Sequence, residues 1–245
     1  MKHIKPYNIF ESASTSFPTT REKVIEVCKR YNIRNYTIND DLSIDVDGVV
    51  YLDNRNLEYL PLRFNYVSGE FDCFKNILVS LEGSPLTLGG NFDCGYNELK
   101  TLEGSPQTVD GNFVCHNNKL KTLEGSPQTV GGGFVCYGNK LKTLEGCPQT
   151  VNGDFNCYNN ELTDLEYFPE VSDYINIRDN PVNLLVYTFI ENEETDSFMI
   201  EDFIDYEIVR NGNTVMLDRL QTFIRDNDLE MPDLEEIKKH YKIIE

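Results

Sequence analysis

Apolar residues recur along the middle of this chain with a fixed period of 21 residues, from residue 71 to residue 154. Four consecutive blocks open with Phe-x-Cys, continue through an Asn and two Leu residues, and close with a Gly-rich stretch. A fixed period of about 20 to 50 residues is the signature of a solenoid in which each repeat forms one coil. Weaker copies extend the pattern to residue 50 on one side and to residue 185 on the other. The pattern therefore predicts about seven coils.

The apolar positions within each block indicate which side chains form the core. Residues two positions apart on a strand share a face, so the Phe and Cys of each block point inward and successive coils form a parallel sheet. The Asn that follows is expected to satisfy turn backbone groups. A glycine before each strand is expected at positive φ. The predicted inward residues are Phe71, Phe92, Phe113, Phe134 and Phe155 with Cys73, Cys94, Cys115, Cys136 and Cys157; the predicted positive-φ glycines are Gly90, Gly111, Gly132 and Gly153.

The residues that flank the repeats have other patterns. We interpret 1–18 as an N-terminal arm and 19–48 as an N-terminal cap, with a helix begun by a Thr19/Glu22 capping box and a hairpin between Tyr36 and Val46. The solenoid itself spans 49–180. Helical periodicity in 181–245, ending in a helix over Asp233–Lys242, predicts a helical C-terminal cap, with a docked effector module as the alternative.

The fold class predicted from these patterns is an α/β-type solenoid. Parallel strands line its concave face, and helical caps close both ends. The Gly-Ser-Pro segments leave no room for a helix on the return path of each coil. The convex side is therefore expected to be extended or polyproline-like.

The amount and distribution of charge indicate which classes of macromolecule the chain can bind. The net charge is −19, and residues 1–48 are neutral, whereas 49–180 hold 18 acidic against nine basic residues and 181–245 hold 16 against six. Such a field repels phosphate backbones, so direct binding of nucleic acid is not expected, and a basic protein partner is favoured. The start of the chain lacks the apolar stretch of a signal peptide, and no run of 18 apolar residues exists. We therefore expect a cytoplasmic protein without a membrane span.

No residue group in the sequence indicates enzyme, metal or cofactor chemistry. The repeated cysteines lack C-x-x-C spacing and are interpreted as small apolar core residues. The segment Asp45–Gly48 has only a fragment of a calcium-loop pattern, without the closing Glu. His116 has neighbouring acids but no outward Ser or Cys nucleophile. We expect no catalytic residue, no metal and no cofactor.

The outward strand positions change from coil to coil, although the repeat does not require them to change. Aromatic residues stack in one of these columns, with acidic residues beside them, and exposed aromatic stacks are typical of protein interfaces. The alternative is that exposed Tyr is simply a good strand former. The predicted protein-binding residues are Tyr51, Asp53, Glu70, Asp72, Phe74, Asp93, Tyr96, His116, Tyr137, Tyr158, Tyr174 and Arg178.

The repeat pattern F-x-C-x-x-N-x-L-x-x-L-E-G-S-P-x-x-V-x-G resembles the short leucine-rich repeats of proteins encoded by tailed bacteriophages, over residues 20–185. The resemblance implies a non-enzymatic protein-binding role in the cytoplasm of an infected bacterium, for example inhibition of an anti-phage defence factor. Three alternatives remain open. The chain could be an acidic mimic of nucleic acid that blocks a DNA-binding protein, a virion or assembly protein, or a protein that sequesters a small ligand.

Overall fold

The computed structural model describes residues 17–190 and 197–245, with backbone alone for 187–190, 197 and 198. The predicted arm therefore lies almost wholly outside the described residues. The repeats form a β-solenoid of six complete turns, and the first strand of a seventh turn follows. Each turn contributes two short strands and no helix, so the solenoid is built of sheet and the predicted α/β class is wrong in that respect.

The strands of the solenoid form two sheets. Sheet 1 holds the Phe-x-Cys strands, all parallel, in the order β15-β13-β11-β9-β7-β5-β3. Sheet 2 runs β1-β2-β4-β6-β8-β10-β12-β14 and is parallel except for the antiparallel β1–β2 pair. The elements up to the last coil are α1 Arg21–Arg30, β1 Tyr36–Ile38, β2 Ile44–Val46, β3 Val50–Tyr51, β4 Phe64–Val67, β5 Phe71–Asp72, β6 Thr87–Leu88, β7 Phe92–Asp93, β8 Thr108–Val109, β9 Phe113–Val114, β10 Thr129–Val130, β11 Phe134–Val135, β12 Thr150–Val151, β13 Phe155–Asn156, β14 Glu170–Val171 and β15 Ile175–Asn176.

Sheet 2 was not foreseen, although the extended conformation of the return path was. The Thr-Val pair after each Gly-Ser-Pro segment places Val inward, and its strand pairs with the same pair one coil away. Val109, Val130 and Val151 are completely buried, so the return path contributes its own column to the core. A buried extended backbone needs hydrogen-bond partners, and the neighbouring coils supply them.

The predicted inward residues are confirmed as the core. The five Phe rings stack along the solenoid with centroids 5.3 to 6.0 Å apart, and every Phe and Cys of the two columns is fully buried. The coil spacing of a parallel sheet, about 4.8 Å, brings identical side chains into contact in this way. All seven cysteines are free thiols.

The asparagine that follows each strand of sheet 1 satisfies turn backbone groups, as predicted, and its bonds also link neighbouring coils. Nδ2 of Asn118 donates to the carbonyls of Cys94 and Cys115, at 3.0 and 3.1 Å. Its Oδ1 accepts from the N–H of Leu99, at 3.0 Å. The same set recurs in every coil, with the members Asn76, Asn97, Asn118, Asn139, Asn160 and Asn180 all buried.

The predicted backbone role of the glycines before each strand is wrong. Gly90 and Gly153 are not at positive φ; glycine is needed there because a Cβ on Gly90 would lie 2.6 Å from the carbonyl carbon of Gly69 in the neighbouring coil. The same applies to Gly111 and Gly132. Positive φ instead occurs at the glycine of each Gly-Ser-Pro or Gly-Cys-Pro corner, at Gly83, Gly104, Gly125 and Gly146.

The elements before the first coil follow the prediction with small shifts. Helix α1 is capped by Thr20 rather than Thr19, and the Thr20 side chain accepts from the N–H of Lys23. Strand β2 begins at Ile44 because Leu42 lies in the turn at φ 67°. β2 then pairs in parallel with β4, so the hairpin continues sheet 2 at its N-terminal end.

The described part of 181–245 is not purely helical, which corrects the prediction. Val215 lies in a strand, and the final helix covers only Leu234–Ile237, because the chain then forms a strand that pairs with Thr214–Met216. The Tyr241 hydroxyl donates to the Thr163 carbonyl of the solenoid at 2.8 Å. No described helix is long and apolar enough to cross a membrane. The elements are α2 Asn183–Ile190, α3 Ser197–Asp205, β16 Val209–Arg210, β17 Thr214–Met216, α4 Leu217–Asp226, α5 Leu234–Ile237 and β18 Lys242–Ile244.

Candidate functional site

The solvent-facing side of sheet 1, here called the outer face, carries the predicted site. Because side chains alternate along a strand, the residues one before, one after and three after each buried aromatic share this face. The register is in phase from coil to coil: Phe71 pairs with Phe92, and Asp72 with Asp93. Each outward position therefore forms a column along the solenoid, and the columns bring together residues that are 20 or 21 positions apart in sequence.

Five aromatic rings form a continuous row on the outer face, one from each coil between β5 and β13. The rings of His116 and Tyr137 are stacked with centroids 4.4 Å apart, and those of Tyr137 and Tyr158 are 4.5 Å apart. Phe74 and Tyr96 meet edge to face at 5.4 Å, and Tyr96 meets His116 in the same way at 5.2 Å. Pairs of this kind contribute about 0.5–1.5 kcal/mol beyond their buried area.

One coil reaches the aromatic row by a different route. Its residue at the aromatic position is Gly95, where a Cβ would lie 2.9 Å from Nε2 of His116. The next residue, Tyr96, takes a left-handed backbone conformation with φ 52°. Its ring contacts both Phe74 and His116. The row is therefore unbroken, although the one-residue offset interrupts the pattern in the sequence.

His116 lies at the centre of the row as a neutral ring. It is 9% exposed, and burial lowers the pKa of its imidazole below the usual value. Nδ1 lies 2.9 Å from Nδ2 of Asn117, an amide donor, so Nδ1 is the acceptor and Nε2 carries the proton of the neutral ring. The imidazole therefore stacks on the Tyr137 ring in its uncharged form.

Carboxylates occupy the N-terminal part of the outer face. Oδ1 of Asp93 accepts from the N–H of Gly95 at 2.8 Å, and Oδ1 of Asp72 accepts from the N–H of Phe74 at the same distance. Burial raises the pKa of Asp93 to about 6, and the negative charges of Asp72 and Glu70 add to the rise. Burial also raises the pKa of Asp72. These acids are close enough to repel one another.

The remaining predicted residues lie at the two ends of the face. Tyr51 donates to Oε2 of Glu70 at 3.2 Å, and Asp53 adds a further negative charge near Asp72. Tyr174 is 56% exposed at the C-terminal end, and its N–H donates to Oδ1 of Asp154 at 3.2 Å. Arg178 is exposed in the seventh coil, in the column of the aromatic row. All twelve predicted residues thus lie on one face.

Val114, Val135 and Asn156 are three residues of the outer face that were not among the predicted site residues. Val114 and Val135 continue the column of Asp72 and Asp93 with apolar side chains, both partly exposed. Asn156 follows them in the same column, and its Oδ1 is buried without a hydrogen-bond partner within the described residues. The signal for all three was present in the column pattern, but an apolar or amide residue on a strand does not by itself indicate binding.

A separate cleft of about 1650 Å³ lies between the last coils and the C-terminal region. Asp164, Arg210 and His240 are among the residues that line it. Burial raises the pKa of Asp164, whereas Arg210 is paired with Glu207 at 2.7 Å. The lining therefore mixes both charges and favours no single class of ligand.

The described residues contain no group of three His, Cys, Asp or Glu side chains arranged for a metal ion. Asp45 accepts from Nδ2 of Asn65 at 2.7 Å, and Asp47 accepts from the Ser68 hydroxyl at 3.1 Å, so both carboxylates are bonded to the neighbouring coil. No protein-family model, curated protein or solved structure matches this chain.

Proposed function

We propose that this chain is a non-enzymatic protein-binding repeat protein that contacts its partner through the outer face of sheet 1. The observation that carries the proposal is the unbroken row of five aromatic rings on a solvent-facing surface. Core packing does not require these rings, because the opposite side of the same strands already supplies the Phe and Cys columns. Aromatic side chains at accessible positions are enriched among residues that dominate binding energy.

We further propose that the partner is a host bacterial protein, met in the cytoplasm during phage infection, and that binding inhibits it. The support is the resemblance of the 21-residue repeat to the leucine-rich-repeat proteins of tailed bacteriophages. The proposed target is an anti-phage defence factor, because inhibition of such a factor would favour the phage. The strongly acidic charge favours a basic surface on that target.

Capture from a bacterial lysate tests the proposal. The double variant Tyr137→Ala/Tyr158→Ala should lose a captured host protein that the unchanged chain retains in stoichiometric amount. Tyr66→Ala is the matched control, since Tyr66 is 41% exposed on sheet 2, away from the outer face. Circular dichroism should show that all three proteins remain folded.

Two results would contradict this function. Capture that persists in the double variant would place the interface elsewhere on the chain. Association only with phage structural proteins would favour the virion or assembly role instead of inhibition of a host factor.

A further inference from the structure

The outer face is divided into two chemically different halves. The coils of β3, β5 and β7 form an acidic half, and those of β9, β11 and β13 form an apolar half. No Lys or Arg of the described residues forms an ion pair with a carboxylate of the acidic half. The acidic half carries the carboxylates Asp53, Glu70, Asp72 and Asp93 beside the aromatic residues Tyr51, Phe74 and Tyr96; the apolar half carries Val114, His116, Val135, Tyr137 and Tyr158, with the carboxylate of Asp154 at its edge.

Each half contains a feature that destabilises the isolated protein. In the acidic half, half-buried Asp72 and Asp93 repel each other without a cation beside them. At the far end of the apolar half, Oδ1 of Asn156 is buried without a donor. An unsatisfied buried polar atom costs about 1–3 kcal/mol. Both costs would be relieved by groups that a partner can bring, namely a cation and a hydrogen-bond donor.

Building on the proposed function, we propose that the partner presents an extended segment along the solenoid axis, with a basic side chain over the acidic half and an aromatic or large aliphatic side chain over the apolar half. Asp93 and Tyr137 are two coils apart, and Asp72 and Tyr137 are three coils apart, which corresponds to about 10–14 Å at about 4.8 Å per coil. An extended chain covers about 3.3 Å per residue, so the two side chains should be about three to four residues apart.

Charge complementarity decides between this segment and other occupants. A nucleic-acid strand has stackable bases but carries phosphates that the carboxylates repel. A second copy of this chain would bring the same acidic surface, since its net charge is −19. A purely apolar segment would leave the acids of the face desolvated without a counter-charge, which is unfavourable. A mixed basic and apolar segment matches both halves.

A panel of synthetic peptides tests the inference. Each fluorescein-labelled peptide carries an Arg pair and a Tyr-Leu pair in a Gly/Ser background, separated by two, six or ten intervening residues. Fluorescence anisotropy at low and at high salt measures binding to the full chain. We expect the peptide with two intervening residues to bind at least fivefold more tightly than the other two, and its binding should weaken with salt.

Two variants separate the halves. Asp72→Asn/Asp93→Asn keeps the backbone hydrogen bonds, because an amide oxygen also accepts, and should weaken the best peptide about tenfold and reduce the salt dependence. Tyr137→Ala/Tyr158→Ala should weaken binding without changing the salt dependence. The control Tyr66→Ala should have no effect.

The inference is overturned by any of three results: affinity independent of the spacing, full affinity in the Asn double variant, or no binding of any peptide. These failures are distinct from failure of the proposed function. If a host protein is captured through Tyr137 and Tyr158 and the Asn double variant still captures it, the binding role stands and only the basic segment is excluded.

Discussion

The buried asparagines that recur once per coil, here called the asparagine ladder, should contribute measurably to stability. Asn139 is the best position at which to measure that contribution. Oδ1 of Asn139 accepts from the N–H groups of Asn118 and Leu120, at 3.2 and 3.1 Å. Its Nδ2 donates to the carbonyls of Cys115 and Cys136, at 3.2 and 2.9 Å. A fifth, longer bond joins Nδ2 to the carbonyl of Tyr137 at 3.4 Å, and the substitution Asn139→Ala removes all five.

The five backbone groups are not affected equally, and the carbonyl of Tyr137 keeps the N–H of Asn117 as a donor. The carbonyl of Cys115 keeps a donor in Asn118, and that of Cys136 keeps one in Asn160. The N–H groups of Asn118 and Leu120 lose their acceptor. An orphaned buried group costs about 1–3 kcal/mol, so the two together predict a loss of about 2–6 kcal/mol. Small domains have only about 5–15 kcal/mol in total, so this single substitution removes a large share.

Urea unfolding measures this loss in free energy. Far-ultraviolet circular dichroism and tyrosine fluorescence should be followed together, because repeat arrays can lose cooperativity and coincident transitions are needed for a free energy. Lys140→Ala is the matched control, as an exposed side chain in the same turn. If Asn139→Ala costs less than about 1 kcal/mol, or no more than Lys140→Ala, the ladder does not hold the coils together as argued.

Two further predictions concern titration. Burial raises the pKa of the Cys94 and Cys115 thiols well above the usual value, so iodoacetamide at pH 8 should label neither until urea unfolds the chain; mass spectrometry that finds native labelling at the rate of a free thiol would contradict this. Asp93 has a raised pKa of about 6 in the folded chain, where Asp72, Glu70 and the neutral His116 surround it. Ionised Asp93 therefore destabilises the fold. The substitution Asp93→Asn should therefore stabilise the chain by about 1–2 kcal/mol above pH 6, allowing for solvent screening. This gain should disappear as the pH falls to 3.8, the pKa of Asp in the unfolded chain. An unchanged urea midpoint at pH 7.5 would contradict the prediction.

The core of the fold was predictable because the same inward residues recur in five coils. The Phe, Cys, Leu and Asn columns follow from the period and from strand alternation alone. Sheet 2 was not predicted because two residues per coil, such as Thr108 and Val109, are too few to show an alternating pattern. The predicted role of Gly90 was wrong because a sequence can favour glycine for two reasons. Glycine permits a positive φ, and it also lets the backbone of a neighbouring coil come close. Only the distance to Gly69 in the structure distinguishes the two.

The C-terminal region shows where periodicity misleads. Val215 fits a helical spacing with Leu217 and Leu220, yet its strand pairs with a strand at the end of the chain, a partner about 28 residues away. Strand pairing of this kind depends on tertiary context, which a local pattern does not contain. The outer face was predictable for the opposite reason, since in-phase coils convert sequence columns into neighbours in space.

The predictions for Asn139 and Asp93 have opposite signs, and that contrast bears on function. The buried columns of the solenoid remove apolar surface from water, so replacing their members should weaken the fold. On the outer face, Asp93 and Asn156 instead cost stability in the isolated chain. Residues that break a local rule without benefit to the fold are expected at functional sites. The stability measurements therefore test the location of the binding surface independently of any captured partner: stabilising substitutions should concentrate on the outer face of sheet 1.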